Sequence, residues 1–408
     1  MNNKERLRII FTLGFLTAIG PFSIDAYLPG FPSIASDLKT DIEHVTLSLT
    51  SYFIGISFGQ LFYGPVFDRY GRKKPLIAGL VIYMASSVGC ALSPSIYTLV
   101  AFRFLLALGG CVGMVASRAI VRDLFPISEI AKVFSMMMLV MGVAPIVAPV
   151  LGGLIVTSLG WRFIFVLMLT VAALITFVII KFLPESKEAD HSVSFHPFKL
   201  VSGYFSLFRN RTFFVYSVAS GAASAALFSY ISDSSFVFIQ LFGISETLFG
   251  WIYGLNAMAL ISASQFNRLW LSRKSSRQIT TVTLSLQFAA SVLLVASVIM
   301  NLNYLIIMIL IFIYLFWLGY LNPNTTSLAL EPFAKNAGVA SAMLGSLQMV
   351  FGAAASAFVS FFHNGTPLPM SAFMMIFSIL GLSAVLYDRT RLKMLNPAFS
   401  KDGDNSLP

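Results

Sequence analysis

Three charged residues, Asp25, Arg103 and Asp233, lie in stretches of the sequence where nearly every neighbouring residue is apolar. An isolated Asp or Arg at the centre of a membrane span costs about 2.5–3.5 kcal/mol, so such residues persist when they are paired, hydrated or used. Counted at 1.5 Å per residue, Asp25 and Arg103 lie roughly 6 and 9 Å from the expected outer ends of their helices. The similar depths predict an ion pair between them.

Proton exchange coupled to a conformational change is the chemistry that such a pair could perform. A proton would neutralise Asp25 when a cavity opens outward, and its loss would restore the attraction to Arg103 when the cavity opens inward. The structural alternative is a pair that only locks two helices together. Asp233 is either a second titrating group or a solvated charge at the outer rim.

Clusters typical of enzymes or metal sites are not evident in the sequence. The four histidines, His44, His191, His196 and His363, lie in loops or near the ends of apolar runs. The two cysteines, Cys90 and Cys111, lie within apolar runs and are expected to pack there without a disulfide. The nucleotide-binding pattern G-x-x-x-x-G-K-[ST] is missing. We therefore expect no enzyme, metal or cofactor and do not expect ATP to drive the protein. Proton exchange at Asp25 predicts a proton gradient as the driving force.

The composition indicates a membrane protein. Hydrophobic residues make up 57% of the 408 residues, above the roughly 45–50% of soluble domains. The net charge of +10 does not indicate nucleic-acid binding, because the basic residues fall in short clusters between apolar runs.

Twelve apolar runs of about 20 residues predict twelve transmembrane helices, since they lack the alternation of barrel strands. They lie near 9–29, 46–66, 76–93, 97–120, 132–157, 162–182, 213–235, 247–266, 279–299, 304–327, 338–361 and 368–387. The expected fold is all-α, with two pseudo-symmetric six-helix bundles at 1–183 and 213–390. A cytoplasmic linker at 184–212 is expected to contain a surface helix near 195–211, with a flexible linker as the alternative. A cytoplasmic tail is expected at 391–408.

The distribution of basic residues predicts the orientation. Of 27 Lys and Arg residues, only Lys39 and Arg162 fall in the loops expected outside, while Arg103 and Arg118 lie within a span. Basic residues concentrate on the cytoplasmic side of membrane proteins. Both termini are therefore expected in the cytoplasm.

Two motifs have properties expected of segments that change conformation. The short basic loop GPVFDRYGRKKPL at 64–76 is expected to pair Arg72 with Asp123 and to latch two halves of the molecule. Its candidate gating residues are Gly64, Asp68, Arg69, Gly71, Arg72 and Lys73, together with Asp123. The run MGVAPIVAPVLGG at 141–153 combines kinking prolines with small residues that permit close helix packing. Its candidate residues are Gly142, Pro145, Pro149, Gly152 and Gly153.

Most polar uncharged residues within the spans are expected to form hydrogen bonds between helices. Some are candidates for lining a cavity, particularly near Pro323, where a proline leaves carbonyl groups unpaired. These candidates are Tyr27, Asn256, Asn322, Asn324 and Gln348.

The loop at 64–76 resembles the loop pattern G-x-L-x-D-R-x-G-R-K/R of the major facilitator superfamily, with Val66 in place of Leu. With SIDAYLPGFP at 23–32, SRAIVRDLFP at 117–126 and APIVAPVLGG at 144–153, it resembles the Bcr/CflA drug:proton antiporters. This resemblance implies a proton-driven exporter of small amphiphilic compounds, such as antibiotics, in a bacterial inner membrane. Asp25 and Arg103 match the intramembrane acid and the span-four arginine of that subfamily, and 142–153 matches its antiporter motif.

One departure concerns span four, where Leu106 and Ala107 replace the Gln and Gly of the pattern R-x-x-Q-G. This puts the substrate range in doubt, and an exporter of an endogenous metabolite or amino acid is the alternative function. The expected partners are a small amphiphilic substrate, protons and membrane lipid, without nucleic acid, and the chain is expected to act as a monomer.

Overall fold

A computed structural model of the chain describes residues 3–189 and 207–395. Within those ranges the secondary structure is helical, and twelve helices are long and apolar enough to cross a bilayer. They are α1 (Asn3–Asp25), α2 (Ile42–Tyr70), α3 (Lys73–Ala91), α4 (Ile96–Leu124), α5 (Ile127–Leu159), α6 (Arg162–Phe182), α7 (Arg211–Ser235), α8 (Glu246–Leu271), α9 (Ser276–Ile299), α10 (Tyr304–Leu330), α11 (Ala337–Phe361) and α12 (Leu368–Leu395). The predicted all-α architecture with twelve membrane-length helices is confirmed.

Large apolar side chains lie on the outer surface of these helices. Phe15 is 55% exposed, Phe58 is 51% exposed and Leu174 is 62% exposed. Such a surface would be unfavourable in water, but lipid tails are as apolar as leucine and surround it without cost. The chain is an integral membrane protein with twelve spans.

The contacts between residues divide the chain into two compact units. Among the described residues, the first unit contains 3–189 and Ser235–Gly254, and the second contains 207–234 and 255–395. The π-helical segment Phe236–Leu241 and the first turns of α8 therefore pack with the N-terminal helices. The surface helix expected near 195–211 lies mostly outside the described residues, as does the tail beyond Leu395.

Close backbone contacts at glycines hold the first unit together. A Cβ atom at Gly55 of α2 would lie 2.7 Å from the carbonyl oxygen of Phe104 in α4. A Cβ atom at Gly109 of α4 would lie 2.7 Å from the carbonyl oxygen of Gly79 in α3. Because a side chain at either position would overlap a neighbouring backbone, these small residues allow α4 to pack tightly between α2 and α3.

In the second unit, α9 packs against α10 and α12. The hydroxyl groups of Tyr314 in α10 and Ser378 in α12 form a buried hydrogen bond of 2.9 Å. Gly319 of α10 lies directly against the carbonyl oxygen of Leu260 in α8, where any larger residue would clash.

The first span is longer and less regular than the sequence predicted. Its α-helix ends at Asp25, and a 3-10 turn at Leu28–Gly30 and a short helix at Phe31–Asp37 follow. Pro29 and Pro32 account for the interruption, since proline lacks a backbone donor and disfavours a helical residue before it. The outer loop expected from residue 31 is thus partly helical, and Asp25 lies farther from the end of the span at Asp37.

The loop expected at 64–76 is mostly helical. The helix α2 continues to Tyr70 and α3 begins at Lys73, so that only Gly71 and Arg72 connect them. A helix does not have to end where the hydrocarbon ends, because its internal hydrogen bonds also persist in the headgroup region. The turn depends on Gly71, whose φ of 80° lies in the left-handed region that glycine adopts readily.

Candidate functional site

Arg103 of α4 is fully buried, with 0% of its surface exposed. Its guanidinium carbon lies 4.3 Å from the ring centroids of both Tyr27 and Tyr52. Aromatic faces attract a cation at this distance, and the attraction is strongest where water is excluded. One terminal nitrogen donates to the carbonyl oxygen of Ser23 at 3.1 Å, while Nε and Nη2 have no hydrogen-bond partner. The site therefore holds a fixed positive charge with unused donors.

Hydrogen bonds fix the two rings and the end of α1 around Arg103. The hydroxyl groups of Tyr27 and Ser48 are 2.8 Å apart, and the Tyr52 hydroxyl donates to the carbonyl oxygen of Gly20 at 3.2 Å. The Ser23 and Tyr83 hydroxyl groups are 2.6 Å apart. Residues from α1, α2 and α3 thus hold the arginine in place. Tyr27 is enclosed within the first unit, with 0% of its surface exposed.

Asp25 is also buried, but its partner is a tyrosine. The hydroxyl group of Tyr253 in α8 donates to Oδ1 of Asp25 at 2.9 Å. The ion pair predicted between Asp25 and Arg103 is not among the contacts of the described residues. The arginine reaches α1 through the carbonyl group of Ser23, and two aromatic rings take the place of the carboxylate. Similar depth was not sufficient to bring the two charges together.

The glycine pair at the end of the 141–153 motif lies against two different segments. Gly152 faces the backbone of Ala26 so closely that any side chain would clash. A Cβ atom at Gly153 would lie 2.6 Å from the carbonyl oxygen of Glu246, at the start of α8. The motif therefore brings α5 into direct backbone contact with the first span and with α8.

Two glycines of α8 face the proline segment of α5. A Cβ atom at Gly250 would lie 2.6 Å from the carbonyl oxygen of Pro149, and one at Gly254 would lie 3.2 Å from that of Ile146. Pro145 lies in the same helix one turn before Pro149, and Gly142 lies nearly one turn before Pro145. On the α8 side the contact consists of two glycines, and on the α5 side Pro149 and Ile146 present their carbonyl groups. We call the α8 part, Gly250 and Gly254, the glycine face of α8.

Arg72 in the short basic connection forms the predicted pair with Asp123. Its Nε donates to Oδ2 of Asp123 at 2.8 Å, and Nη1 donates to Oδ1 of Asp68 at 3.1 Å. Burial opposes the charge of Arg72, but the two carboxylates outweigh it and raise the pKa of Arg72 above its ordinary value. Lys187 adds a second cation beside Asp68, at 3.1 Å. All four of these charges belong to the first unit.

Glu185, just beyond α6, closes the connection between α2 and α3. Its carboxylate accepts hydrogen bonds from the backbone amides of Arg72 at 2.8 Å and Lys73 at 3.1 Å. An acid at a helix N-terminus satisfies free donors and interacts favourably with the helix dipole. In return, the Lys73 ammonium group donates to the carbonyl oxygen of Leu183 at 2.8 Å. The two segments thus cap each other.

Arg69, Gly64 and Gly71 of this loop lie in different surroundings. Arg69 lies over the ring of Tyr70, with 5.6 Å between its guanidinium carbon and the ring centroid. A Cβ atom at Gly64 would meet no other atom within 4 Å, so tight packing does not explain a glycine there. Gly71 is the position where the backbone requires glycine.

Asp233 of α7 lies beside a histidine in the second unit. Its Oδ1 is 3.4 Å from Nδ1 of His363, and both side chains are less than a tenth exposed. The alternative of a solvated rim charge is therefore wrong for Asp233, and His363, which follows an apolar run, is buried as well. A carboxylate next to an imidazole forms a full ion pair only when the histidine is protonated.

The polar candidates of the second unit fall into two groups. Asn256 donates to the Tyr230 hydroxyl at 2.9 Å, and Gln348 donates to the Ser220 hydroxyl at 2.7 Å. These two pairs place polar groups beside α7, and Gln348 also reaches the exposed Asn322 at 3.4 Å.

Asn324 belongs to a different environment. It is 2% exposed and donates to the side-chain oxygen of Asn267 at 2.8 Å. This contact connects α10 to α8, as expected for an amide that bonds helices together.

Sequence reasoning missed three residues that complete these sites: Tyr253, Glu185 and His363. Tyr253 could have been noticed as a polar aromatic residue between Gly250 and Gly254 in an apolar run. Glu185 and His363 each follow the end of a span, where a charged or polar residue is ordinary, so that local pattern gave no signal for either.

Known proteins similar to this chain indicate its family. The sequence profile of the Major Facilitator Superfamily matches residues 13–357. The chain is 37% identical over 384 residues to Uncharacterized MFS-type transporter YdgK of Bacillus subtilis, covering 93% of this chain and 94% of that protein. It is 29% identical to the Bicyclomycin resistance protein homolog of Haemophilus influenzae, covering 90% and 93%. It is 27% identical to Multidrug resistance protein D of Escherichia coli, covering 86% and 88%.

A solved structure of the peptide transporter POT in complex with sulfate has the same fold. It matches with a TM-score of 0.75 at 16% identity, and the match covers 97% of this chain and 95% of that one. The family is one of transporters and not of enzymes. With a profile match over most of its length and a 37% identical relative, the chain belongs to the Major Facilitator Superfamily.

Proposed function

We propose that this transporter is a proton-coupled antiporter that exports small amphiphilic compounds, such as antibiotics, by alternating access. The observation that carries the proposal is the buried carboxyl group of Asp25, held by one hydrogen bond from the Tyr253 hydroxyl. Ionisable groups inside membranes mark ion or substrate paths more often than structural links.

The Asp25–Tyr253 hydrogen bond is suited to a carboxyl group that gains and loses a proton. The Tyr253 hydroxyl group donates to Asp25 Oδ1, an arrangement that suits an ionised carboxylate, which can only accept. When it is protonated, the carboxyl group itself becomes a donor, and the charge that strengthened the bond is gone. Proton binding therefore changes the strength of the connection between α1 and α8.

Arg103 supplies a permanent positive charge, because a guanidinium group does not lose its proton in proteins. Its two tyrosine rings and the Ser23 carbonyl hold it in place, while Nε and Nη2 keep their donors. In the proposed cycle these donors take a polar group of the substrate or a water molecule. The fixed charge disfavours dicationic substrates, and neutral or zwitterionic compounds fit it better.

The contact between α5 and α8 supports a cycle with two conformations. Gly250 and Gly254 of α8 lie directly against the backbone of Pro149 and Ile146 in α5, so no side chain of α8 interlocks with α5 at these two positions. We propose that this contact opens and closes during transport. The drug-resistance names of two relatives favour drugs as substrates, and an endogenous metabolite or amino acid is the alternative.

The clustering of basic residues supports a cytoplasmic location of both termini, which we propose together with residence in a bacterial inner membrane. We also retain two six-helix bundles joined through 184–212 as the organisation of the transporter. Asp233 with His363 is the candidate for a second proton site, and the chain is proposed to work as a monomer.

The test is drug accumulation in a bacterial host that lacks its own efflux pumps. The wild-type chain should lower accumulation of some members of an antibiotic panel, and an uncoupler should abolish the effect. Asp25→Asn should lose proton-driven export, while Asp25→Glu should keep part of it. Asp41→Asn is the matched control, because the Asp41 side chain is 82% exposed and remote from these contacts.

Full uncoupler-sensitive export by Asp25→Asn would refute the proposed role of Asp25. A panel in which no drug responds, combined with faster release of an endogenous amino acid or metabolite, would favour the alternative substrate class. Surface expression of each variant is measured in the same cells, so a missing protein is not mistaken for an inactive one.

A further inference from the structure

The loop between α8 and α9 carries positive charge that no nearby acid in the sequence balances. The sequence between Glu246 and Glu331 contains no Asp or Glu, and its basic residues are Arg268, Arg273, Lys274 and Arg277. Arg277 lies 3.7 Å from Glu331. Within the described part of the chain, the exposed side chains of Arg273 and Lys274 have no carboxylate within 4.0 Å.

Beside this loop lies an open groove of about 720 Å³. Apolar and aromatic side chains of α8 and α10 form its walls: Phe266, Leu269, Trp270, Phe316 and Tyr320. Ser272, Arg273 and Lys274 lie at its polar end. The groove thus has an apolar wall and a basic end on one continuous surface.

Aromatic contacts give the apolar wall a defined shape. The ring centroids of Trp270 and Tyr320 are 5.1 Å apart, and that of Trp317 is 6.0 Å from Tyr320. The ammonium nitrogen of Lys274 lies 5.6 Å from the Trp270 ring. Phe266 is 50% exposed and Leu269 is 64% exposed, so this wall is accessible from outside the protein.

The groove lies where the apolar surface of α8 gives way to the polar loop, since that helix ends at Leu271. Tryptophan and tyrosine concentrate at this level of a membrane, beside the lipid headgroups. A basic end at headgroup depth and an apolar wall below it match a lipid with a charged phosphate and acyl chains. Basic pockets between transmembrane helices recognise anionic headgroups in this way.

We propose that this groove binds an anionic phospholipid, with the phosphate at Arg273 and Lys274 and an acyl chain along Trp270 and Phe266. Arginine and lysine both bind phosphate, arginine through its planar fork of donors. A zwitterionic lipid offers the same acyl chains without net charge and binds more weakly here. The inference goes beyond the transport function and does not depend on the transported substrate.

Tryptophan fluorescence tests the proposal directly, because bromine atoms on an acyl chain quench a nearby indole. The purified protein is placed in nanodiscs of phosphatidylcholine with a small fraction of brominated phosphatidylglycerol or brominated phosphatidylcholine. We expect the brominated phosphatidylglycerol to quench at least two-fold more. The chain has four tryptophans, so a Trp270→Phe, Trp317→Phe variant, which retains Trp161 and Trp251, should lose this difference.

The double variant Arg273→Gln, Lys274→Gln should quench equally with both lipids. Lys181→Gln is the matched control, because Lys181 also lies near aromatic rings, 5.4 Å from Phe182 at the end of α6, but outside the groove. It should keep the wild-type preference for the anionic lipid.

Equal quenching of the wild-type protein by the two lipids would overturn the proposal, and this arm requires no variant to fold. If Lys181→Gln also lost the preference for the anionic lipid, that preference would come from the overall charge of the protein and not from the groove, which would contradict the proposal. Displacement of the brominated lipid by inorganic phosphate would assign the basic end to a soluble anion and would also overturn it.

Discussion

Alanine substitutions in the glycine face of α8 should destabilise its packing against α5 to different degrees. In Gly250→Ala, the new Cβ atom would lie 2.6 Å from the carbonyl oxygen of Pro149, whereas ordinary contacts begin at 3.4 Å. The obstacle is backbone in the middle of a helix, which cannot rotate away as a flexible side chain does. The two helices must therefore move apart or the new methyl group must distort them, and overpacking of this kind costs about 1–3 kcal/mol.

Two other glycines calibrate this effect. In Gly254→Ala, the new Cβ atom would lie 3.2 Å from the carbonyl oxygen of Ile146, so a shift of a few tenths of an ångström relieves it. Gly64→Ala of α2 meets no atom within 4 Å. It should stabilise the protein slightly, because alanine favours a helix over glycine by up to about 1 kcal/mol. The expected order of stability is Gly64→Ala, then Gly254→Ala, then Gly250→Ala.

Thermal unfolding of the purified variants in one detergent measures the order, and efflux in membrane vesicles measures its consequence. A cost of about 1–3 kcal/mol lowers the population of the packed conformation by about 5- to 150-fold. If transport passes through that conformation, Gly250→Ala should slow efflux far more than Gly254→Ala. The reasoning is refuted if Gly250→Ala melts and transports like the wild type, or if Gly254→Ala is the more damaging change.

Two further predictions concern charges outside the Asp25 site. Asp123→Asn should lower the free energy of unfolding by about 1–3 kcal/mol, because it removes the negative charge beside the nearly buried Arg72 guanidinium group. Chemical denaturation measures this change, and an effect no larger than that of the exposed Asp41→Asn would contradict the prediction. His363→Gln should lower the free energy of unfolding by about 1–3 kcal/mol, because it removes the imidazole that lies 3.4 Å from the buried Asp233 carboxyl group. Thermal unfolding measures this loss, and a variant as stable as the wild type would contradict the prediction.

Hydropathy was sufficient to predict the twelve helices because the free energy of placing about 20 apolar residues in lipid is large. Twenty apolar residues in a row are stable in hydrocarbon only as a helix that satisfies its own backbone, whatever surrounds it. The same reasoning could not locate the helix ends, since neither Gly64 nor the edge of the hydrocarbon stops a helix. The turn at Gly71 and the prolines after Asp25 end the helices, through backbone conformation that hydropathy does not measure.

A predicted pair of charges was correct where the sequence limited both the depth and the possible partners of the two residues, and wrong where it limited only their depth. Arg72 and Asp123 lie at the ends of α3 and α4 on the same side of the membrane, where few other partners compete. Asp25 and Arg103 shared only an approximate depth, and depth leaves rotation about each helix axis free. The actual partner of Asp25 is 228 residues away in the chain, on a helix that no local pattern connects with α1.

Gly250, Tyr253 and Gly254 share one face of α8, because residues three and four apart lie on the same side of a helix. The hydroxyl group that binds Asp25 and the glycines that meet α5 therefore belong to one rigid surface. In the proposed cycle, a proton on Asp25 weakens the hydrogen bond, and separation of the glycine face from α5 also pulls Tyr253 away. By thermodynamic linkage, if proton binding to Asp25 favours separation of α8 from α5, then that separation favours proton binding to Asp25 by the same free energy. Under the proposed function, this face of α8 is where proton binding and helix movement are coupled, with Arg103 remaining fixed among the helices of the first unit.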